Sequence, residues 1–150
     1  MDLDELDMKI LSLLQEDGRM SFAEISRRLN VNENTVRFRF SRLLNRGVIR
    51  KIVALIDPRM IGINQSAALM LKIDPEKMDD VLKELREMRE IPNIYQLSGD
   101  YDAIVVVMAR DMNELHGIVS RIKKIKGVTE VNTLVTIRIV KSEVKFSLTR

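Results

Sequence analysis

The chain has 150 residues, 45% hydrophobic and 31% charged, which bounds it to one domain or two small ones and excludes wholesale disorder. It has no cysteine and one histidine, His116, so disulfides, thiolate chemistry and histidine-based metal or acid–base sites lack material, and a reducing cytoplasm is the expected setting. The net charge is only +3, yet residues 18–51 carry nine basic side chains against two acidic, and residues 1–17 carry six acidic against one basic. A basic block of this density is the footprint of a polyanion binder; a solvated helical face is the alternative.

Leu3, Leu6, Ile10, Leu13 and Leu14 recur at three- and four-residue steps and predict a first helix, ended by Asp17-Gly18. Ser21 with Glu24 three residues on has the capping-box pattern of a second helix, whose core side is Ile25 and Leu29. In Asn30-Val31-Asn32, Asn30 suits the left-handed conformation that ends a helix, Val31 plugs the core and Asn32 caps a third helix. That helix places Val36, Phe40, Leu43 and Leu44 on one side, and Asn34, Thr35, Arg37, Phe38, Ser41 and Arg42 on the other.

Two helices joined by a three-residue turn, the second with a basic polar face, read as a helix-turn-helix whose second helix enters the major groove of double-stranded DNA. Arg37 and Arg42 would donate to guanine edges or phosphates, Asn34 would read adenine and Phe38 would touch a thymine methyl. Arg46 joins this set at the helix end. Arg39 sits between the two arcs and is expected to pair with an acidic residue of the first helix or to clamp a phosphate. Gly47 stops the helix. The apolar, β-branched stretch 48–56 is expected to form a short hairpin or wing that lays Arg50 and Lys51 along the phosphate backbone.

Residues 1–52 therefore read as a winged helix-turn-helix domain, 53–65 as a linker marked by Asp57-Pro58, and 66–150 as a second domain. The second domain repeats its apolar pattern at an offset of 37 residues: Val81-Leu82 match Ile118-Val119, and Ile94 and Leu97 match Val131 and Leu134. Strand 66–73, a helix from Pro75 to about residue 89, strand 94–98, strand 102–109, a helix from about 112 to 124 capped by Asp111, and a strand from about 128 to 140 give the order βαββαβ. This is the ferredoxin-like split motif, so the fold class is α+β. Its sheet carries both helices on one face. The strands are apolar at most positions, which predicts a second subunit on the other face and a twofold dimer.

These residues resemble the Lrp/AsnC (feast/famine) transcription regulators. The resemblance rests on residues 3–11, Asp17-Gly18-Arg19, residues 32–39 with Leu43, Arg46-Gly47-Val48-Ile49, Ile56-Asp57-Pro58, Ile61-Gly62, residues 98–102, residues 125–128 and Thr133. Asn30 and Asn32 stand where the family usually has glycine and serine, and both keep the turn and capping chemistry. The resemblance implies a sequence-specific DNA-binding regulator that dimerises through its sensor sheets and assembles further, commonly as four dimers in an octameric ring. It also implies an amino-acid effector between dimers, near Gly99, Asp100, Tyr101 and Asp102 and the start of the last strand, with Thr133. At that turn the Gly99 backbone would offer N–H groups to an α-carboxylate, and Asp100 or Asp102 would take an α-ammonium. An ordinary hairpin turn is the plain alternative.

Two other functions compete. One is an architectural DNA-binding protein without an effector. The other is a ferredoxin-like small-molecule sensor or enzyme whose helical part only dimerises. Catalysis has little support, because the chain has neither a phosphate-binding G-x-x-x-x-G-K-[ST] loop nor a G-x-G-x-x-G turn. No cofactor is expected. No membrane association is expected either: the longest apolar run, Ala103–Ala109, is seven residues, against about 20 for a bilayer span, and the acidic opening lacks the pattern of a secretory leader.

Overall fold

The computed structural model describes residues 3–148 in two units: residues 3–55 together with 142–148, and Ile56–Lys141.

The first unit holds three helices, α1 (Glu5–Glu16), α2 (Phe22–Leu29) and α3 (Glu33–Asn45), around a core of Ile10, Ile25, Val36, Leu43 and Ile49. Helix α1 starts at a reciprocal capping box. The Asp4 carboxylate accepts from the Asp7 N–H at 2.9 Å, and the Asp7 carboxylate accepts from the Asp4 N–H at 3.2 Å. Ser21 caps α2 by accepting from the Glu24 N–H at 3.1 Å, but only half of the box expected there forms. The Glu24 carboxylate turns instead to Arg27 and Arg28, one turn on, where two cations outbid a backbone N–H. Asn30 takes the left-handed conformation at φ 52°, and the half-buried Val31 packs on the core. Asn32 caps α3 through the Asn34 N–H at 2.8 Å.

The hairpin or wing expected over 48–56 is absent. Val48 and Ile49 donate to the Leu43 carbonyl at 2.9 and 3.1 Å and close α3, and residues 50–57 then run on with no strand pairing. The reason is chemical. The stretch has high β propensity but no Gly, Asn, Asp or Pro between Val48 and Ile56 to reverse the chain, so it stays a single extended strip. Ile52, Val53, Leu55 and Ile56 on it are 46–76% exposed.

In the second unit a 3-10 turn (Pro58–Ile61) leads into β1 (Gln65–Ile73), followed by a 3-10 turn (Pro75–Lys77), α4 (Met78–Arg86), β2 (Asn93–Gln96), β3 (Ala103–Ala109), α5 (Met112–Lys123) and β4 (Val128–Val135). The sheet order is β2-β3-β1-β4, antiparallel throughout, which is the split βαβ topology expected from the sequence. Leu69, Leu71, Val105 and Val107 on one sheet face are fully buried against Val81 and Leu85 of α4 and Leu115, Ile118 and Ile122 of α5. Gly127 turns the chain into β4 at φ 109°, where a Cβ would lie 2.5 Å from that of Lys77, so only glycine fits.

Alternate residues point to the other sheet face, which no helix covers: Ala68 and Met70 of β1, Ile104, Val106 and Met108 of β3, and Leu134 of β4. The last strand is shorter than expected. Its pairing with β1 ends at Val135 opposite Ala67, and Thr136 makes the final bond to the Ser66 carbonyl at 2.9 Å. Residues 142–148, assigned from sequence to the second domain, lie with the first unit. There Gln15 clamps the Phe146 backbone, donating from Nε2 to its carbonyl at 3.0 Å and accepting its N–H on Oε1 at 2.8 Å.

Candidate nucleic-acid interface and effector turn

Helix α3 carries Asn34, Arg37, Phe38 and Ser41 at three- and four-residue intervals, and all four are exposed. Phe38 stands out, 65% exposed on a helix whose other phenylalanine, Phe40, packs inward against Phe22 with ring centroids 5.2 Å apart. Thr35 is half-buried beside this stripe. Arg46, Arg50 and Lys51 are exposed, Arg46 at the helix end and the other two on the extended strip. No hairpin therefore aims Arg50 and Lys51 at a backbone.

Arg42 differs from its sequence reading. It does not join the outward stripe: its Nη2 donates to Asp7 Oδ2 at 2.6 Å, and its side chain is 31% exposed. Asp7 has no solvent exposure, and a buried carboxylate needs a cationic partner to stay charged. The demand of Asp7 thus draws Arg42 inward, where its Nε is buried without a partner. Arg39 also meets the first helix, as the sequence suggested, donating from Nη1 to Asp7 Oδ1 at 3.1 Å and to the Asp4 carboxylate. The Asp7 N–H and then Arg39 hold the Asp4 carboxyl below its ordinary range. Asp4 and Asp7 escaped the sequence reading as anchors. Their spacing ahead of an arginine-rich helix was the available signal.

Arg37 is held on two sides. Its Nη2 donates to Glu33 Oε1 one turn earlier at 3.1 Å, and its guanidinium carbon lies 5.1 Å from the centre of the Phe22 ring. Glu33, Arg37 and Phe22 line an open cavity of about 370 Å³ with Met20, Ser21 and Ala23. Phe22 was not legible as part of this cluster, because its contact with Arg37 crosses between helices, whereas the i,i+4 spacing of Glu33 and Arg37 was an available signal.

At the other candidate site Gly99 has φ 127°, and Gly99 and Asp100 are exposed in the β2–β3 turn. Tyr101 is held by polar neighbours. Its hydroxyl donates to Glu130 Oε1 at 3.3 Å and accepts from Asn132 Nδ2 at 3.4 Å, and Lys72 Nζ stands 5.5 Å from its ring centre. Asp102 also serves the fold: its Oδ2 accepts the Ile73 N–H at 2.7 Å and ties the start of β3 to the end of β1. Thr133 pairs with Leu69 and so faces the helix-covered side of the sheet, whereas Asn132 and Glu130 face the open side. Thr133 is therefore not brought into the Tyr101 cluster. Lys72, Glu130 and Asn132 are the neighbours that sequence reasoning missed. The β1–β4 register that aligns them is set by long-range pairing.

A helix-turn-helix with an exposed basic and aromatic stripe, in one chain with a ferredoxin-like βαββαβ unit, defines a DNA-binding transcription regulator with a separate sensor-type domain. Residues 3–44 match the AsnC-type helix-turn-helix domain and residues 66–146 the Lrp/AsnC ligand binding domain, and the chain belongs to the Lrp/AsnC family. It is a regulator of that type and not an enzyme. It is 43% identical over 139 residues to an HTH-type transcriptional regulator of Pyrococcus abyssi, covering 91% of this chain and 88% of the relative. It is 41% identical over 113 residues to the HTH-type transcriptional regulator Ptr1 of Methanocaldococcus jannaschii, covering 75% and 76%. Among solved structures, a transcriptional regulator of Neisseria meningitidis in complex with L-Met superposes with a TM-score of 0.91 at 25% identity, covering 98% of this chain and 97% of that one. Among the described residues no helix is long and apolar enough to cross a membrane.

Proposed function

We propose that this protein is a sequence-specific regulator that binds DNA in the cytoplasm as a homodimer, laying α3 of each subunit in the major groove. Asn34, Thr35, Arg37, Phe38 and Ser41 are its reading side chains, and Arg46, Arg50 and Lys51 contact phosphate. The exposed Phe38 carries this reading. A large apolar side chain held in water among cations loses hydrophobic stabilisation unless a partner covers it, and a thymine methyl in a groove lined by anions suits both Phe38 and its neighbours. Dimerisation is supported by the uncovered apolar sheet face around Met70 and Val106. Assembly of four such dimers into an octamer is what the family resemblance implies.

We further propose that an amino acid binds between dimers at Gly99, Asp100 and Tyr101. The left-handed glycine turn beside a tyrosine hydrogen-bonded to Glu130 and Asn132 supports this reading, as does the L-Met complex of the Neisseria relative. The test is selection of bound duplexes from a random pool by the full chain, with and without a mixture of amino acids. A palindromic consensus whose occupancy changes with amino acid is expected. Binding without sequence preference would instead favour an architectural protein, because one mismatched pair usually costs a specific binder more than about 1 kcal/mol.

A further inference from the structure

Nine basic side chains crowd residues 18–51, and an arginine there can serve DNA binding in two different ways. As a phosphate contact it contributes charge, is indifferent to sequence and is sensitive to salt. As a base reader it contributes the geometry of its fork. The surroundings of Arg37 separate it from its neighbours. Glu33 stands one helical turn away, its carboxylate 3.1 Å from Arg37 Nη2, so seen from a phosphate the pair adds no net charge. The pair is exposed, with side chains 58% and 47% accessible, and such an ion pair alone restrains little. Here a second hold acts on the same group. The guanidinium rests 5.1 Å from the Phe22 ring centre, and that ring is itself packed against Phe40 in the core of the unit. A guanidinium has five N–H donors, and the bond to Glu33 uses one, which leaves the fork free to meet two acceptors on a neutral base edge. Among the described residues, no carboxylate lies within ion-pair distance of Arg46 or Arg50.

We propose that Arg37 is a base-reading arginine rather than a phosphate contact, made so by Glu33 and Phe22, and that Glu33 is a specificity-determining residue of the DNA interface. The proposal rests on the DNA-binding reading above and sharpens it. Glu33 cancels the unspecific attraction of Arg37 and orients its fork, so what Arg37 contributes depends on finding a guanine edge, with its O6 and N7 acceptors, in register. A carboxylate leading the recognition helix also repels phosphate, which weakens wrong registers more than the right one.

The test uses the full-length protein with two duplexes of equal composition, one carrying the sequence the wild type selects and one scrambled, titrated at salt concentrations from about 50 to 200 mM. Arg37→Lys keeps the charge and loses the fork. It is expected to bind the selected duplex roughly 5- to 150-fold more weakly and the scrambled duplex as the wild type does, that range being about 1–3 kcal/mol for one bidentate base contact. Glu33→Gln is expected to bind the scrambled duplex more tightly, with a salt slope steeper by about 0.9 as Arg37 becomes available to one phosphate, and to discriminate less between the two duplexes. Both positions are exposed, and unchanged thermal melts would show that folding is intact. Wild-type binding of the selected duplex by Arg37→Lys, or unchanged slope and discrimination in Glu33→Gln, overturns the proposal and leaves DNA binding standing. If the wild type binds neither duplex, the DNA-binding reading itself fails.

Discussion

Arg42 of the recognition helix reaches back to Asp7 at the start of the first helix, its Nη2 2.6 Å from Asp7 Oδ2. Asp7 is wholly buried, and Arg39 reaches the same carboxylate at 3.1 Å. The two arginines that flank the inward side of α3 thus fix its orientation, while Arg37 faces out. Replacing Asp7 by Ala leaves Arg42 without its acceptor and Arg39 with Asp4 alone. The expected loss is about 3 kcal/mol, at the low end for a broken buried pair because both arginines keep some access to water. A thermal or urea melt of the full chain measures it.

Arg42→Ala follows from the same contact and separates anchoring from reading. An anchor predicts a lower melting temperature and weaker binding to selected and scrambled duplexes in equal proportion. An unchanged melt with a selective loss on the chosen sequence would restore Arg42 to the outward role suggested by the sequence.

The acid response of the first unit is set partly by Asp4. The Asp7 N–H and then the Arg39 guanidinium favour its charged form, so its carboxyl is depressed in the folded state relative to the usual value near 3.8. A depressed carboxyl stabilises the fold above the unfolded pKa and loses that contribution as pH falls through the folded one. Stability should therefore be level from neutrality down to about pH 4 and decline below it. Asp4→Asn should lower the plateau and flatten that decline. An acid limb of equal steepness in both proteins would remove Asp4 from the account.

Much of the fold could be read from the chain because its signals are local. Ser21, Asn30, Asn32 and Asp111 each act on a backbone group within a few residues, and each caps or ends its helix as expected. The errors lie where a long-range partner decides. The stretch 48–56 has the composition of a strand, but a strand needs a ladder, and composition does not say whether a neighbour will supply one. The extent of β4 is set by its pairing with β1, and the place of residues 142–148 by Gln15. The same limit applies at the candidate sites. The outward stripe of α3 follows from helical period alone, whereas the inward pull on Arg42 depends on a carboxylate 35 residues away.

Phe38→Ala tests whether the exposed ring serves DNA. The side chain is 65% accessible, so its removal should change stability by no more than about 0.5 kcal/mol. Affinity for the selected duplex should fall about fivefold, near 1 kcal/mol, with the loss concentrated at one thymine position. Equal losses at every position would point to packing against a partner subunit instead.

The two aspartates of the β2–β3 turn have different surroundings, and this sets the last prediction. The Asp102 carboxylate accepts the Ile73 N–H at 2.7 Å, while Asp100 is exposed. If an amino acid binds at the turn, its ammonium group meets Asp100. Asp100→Ala should then weaken binding roughly 10- to 150-fold, the equivalent of about 1.5–3 kcal/mol for one hydrogen bond to a charged group, with an unchanged melt. Asp102→Ala removes the acceptor of the Ile73 N–H and should lower the melting temperature through the lost tie between β3 and β1. Calorimetric titration with individual L-amino acids, beside thermal melts of both variants, distinguishes the two roles. Full amino-acid binding by Asp100→Ala, together with loss of binding at unchanged stability in Asp102→Ala, would reverse the assignment and make Asp102 the ligand's partner.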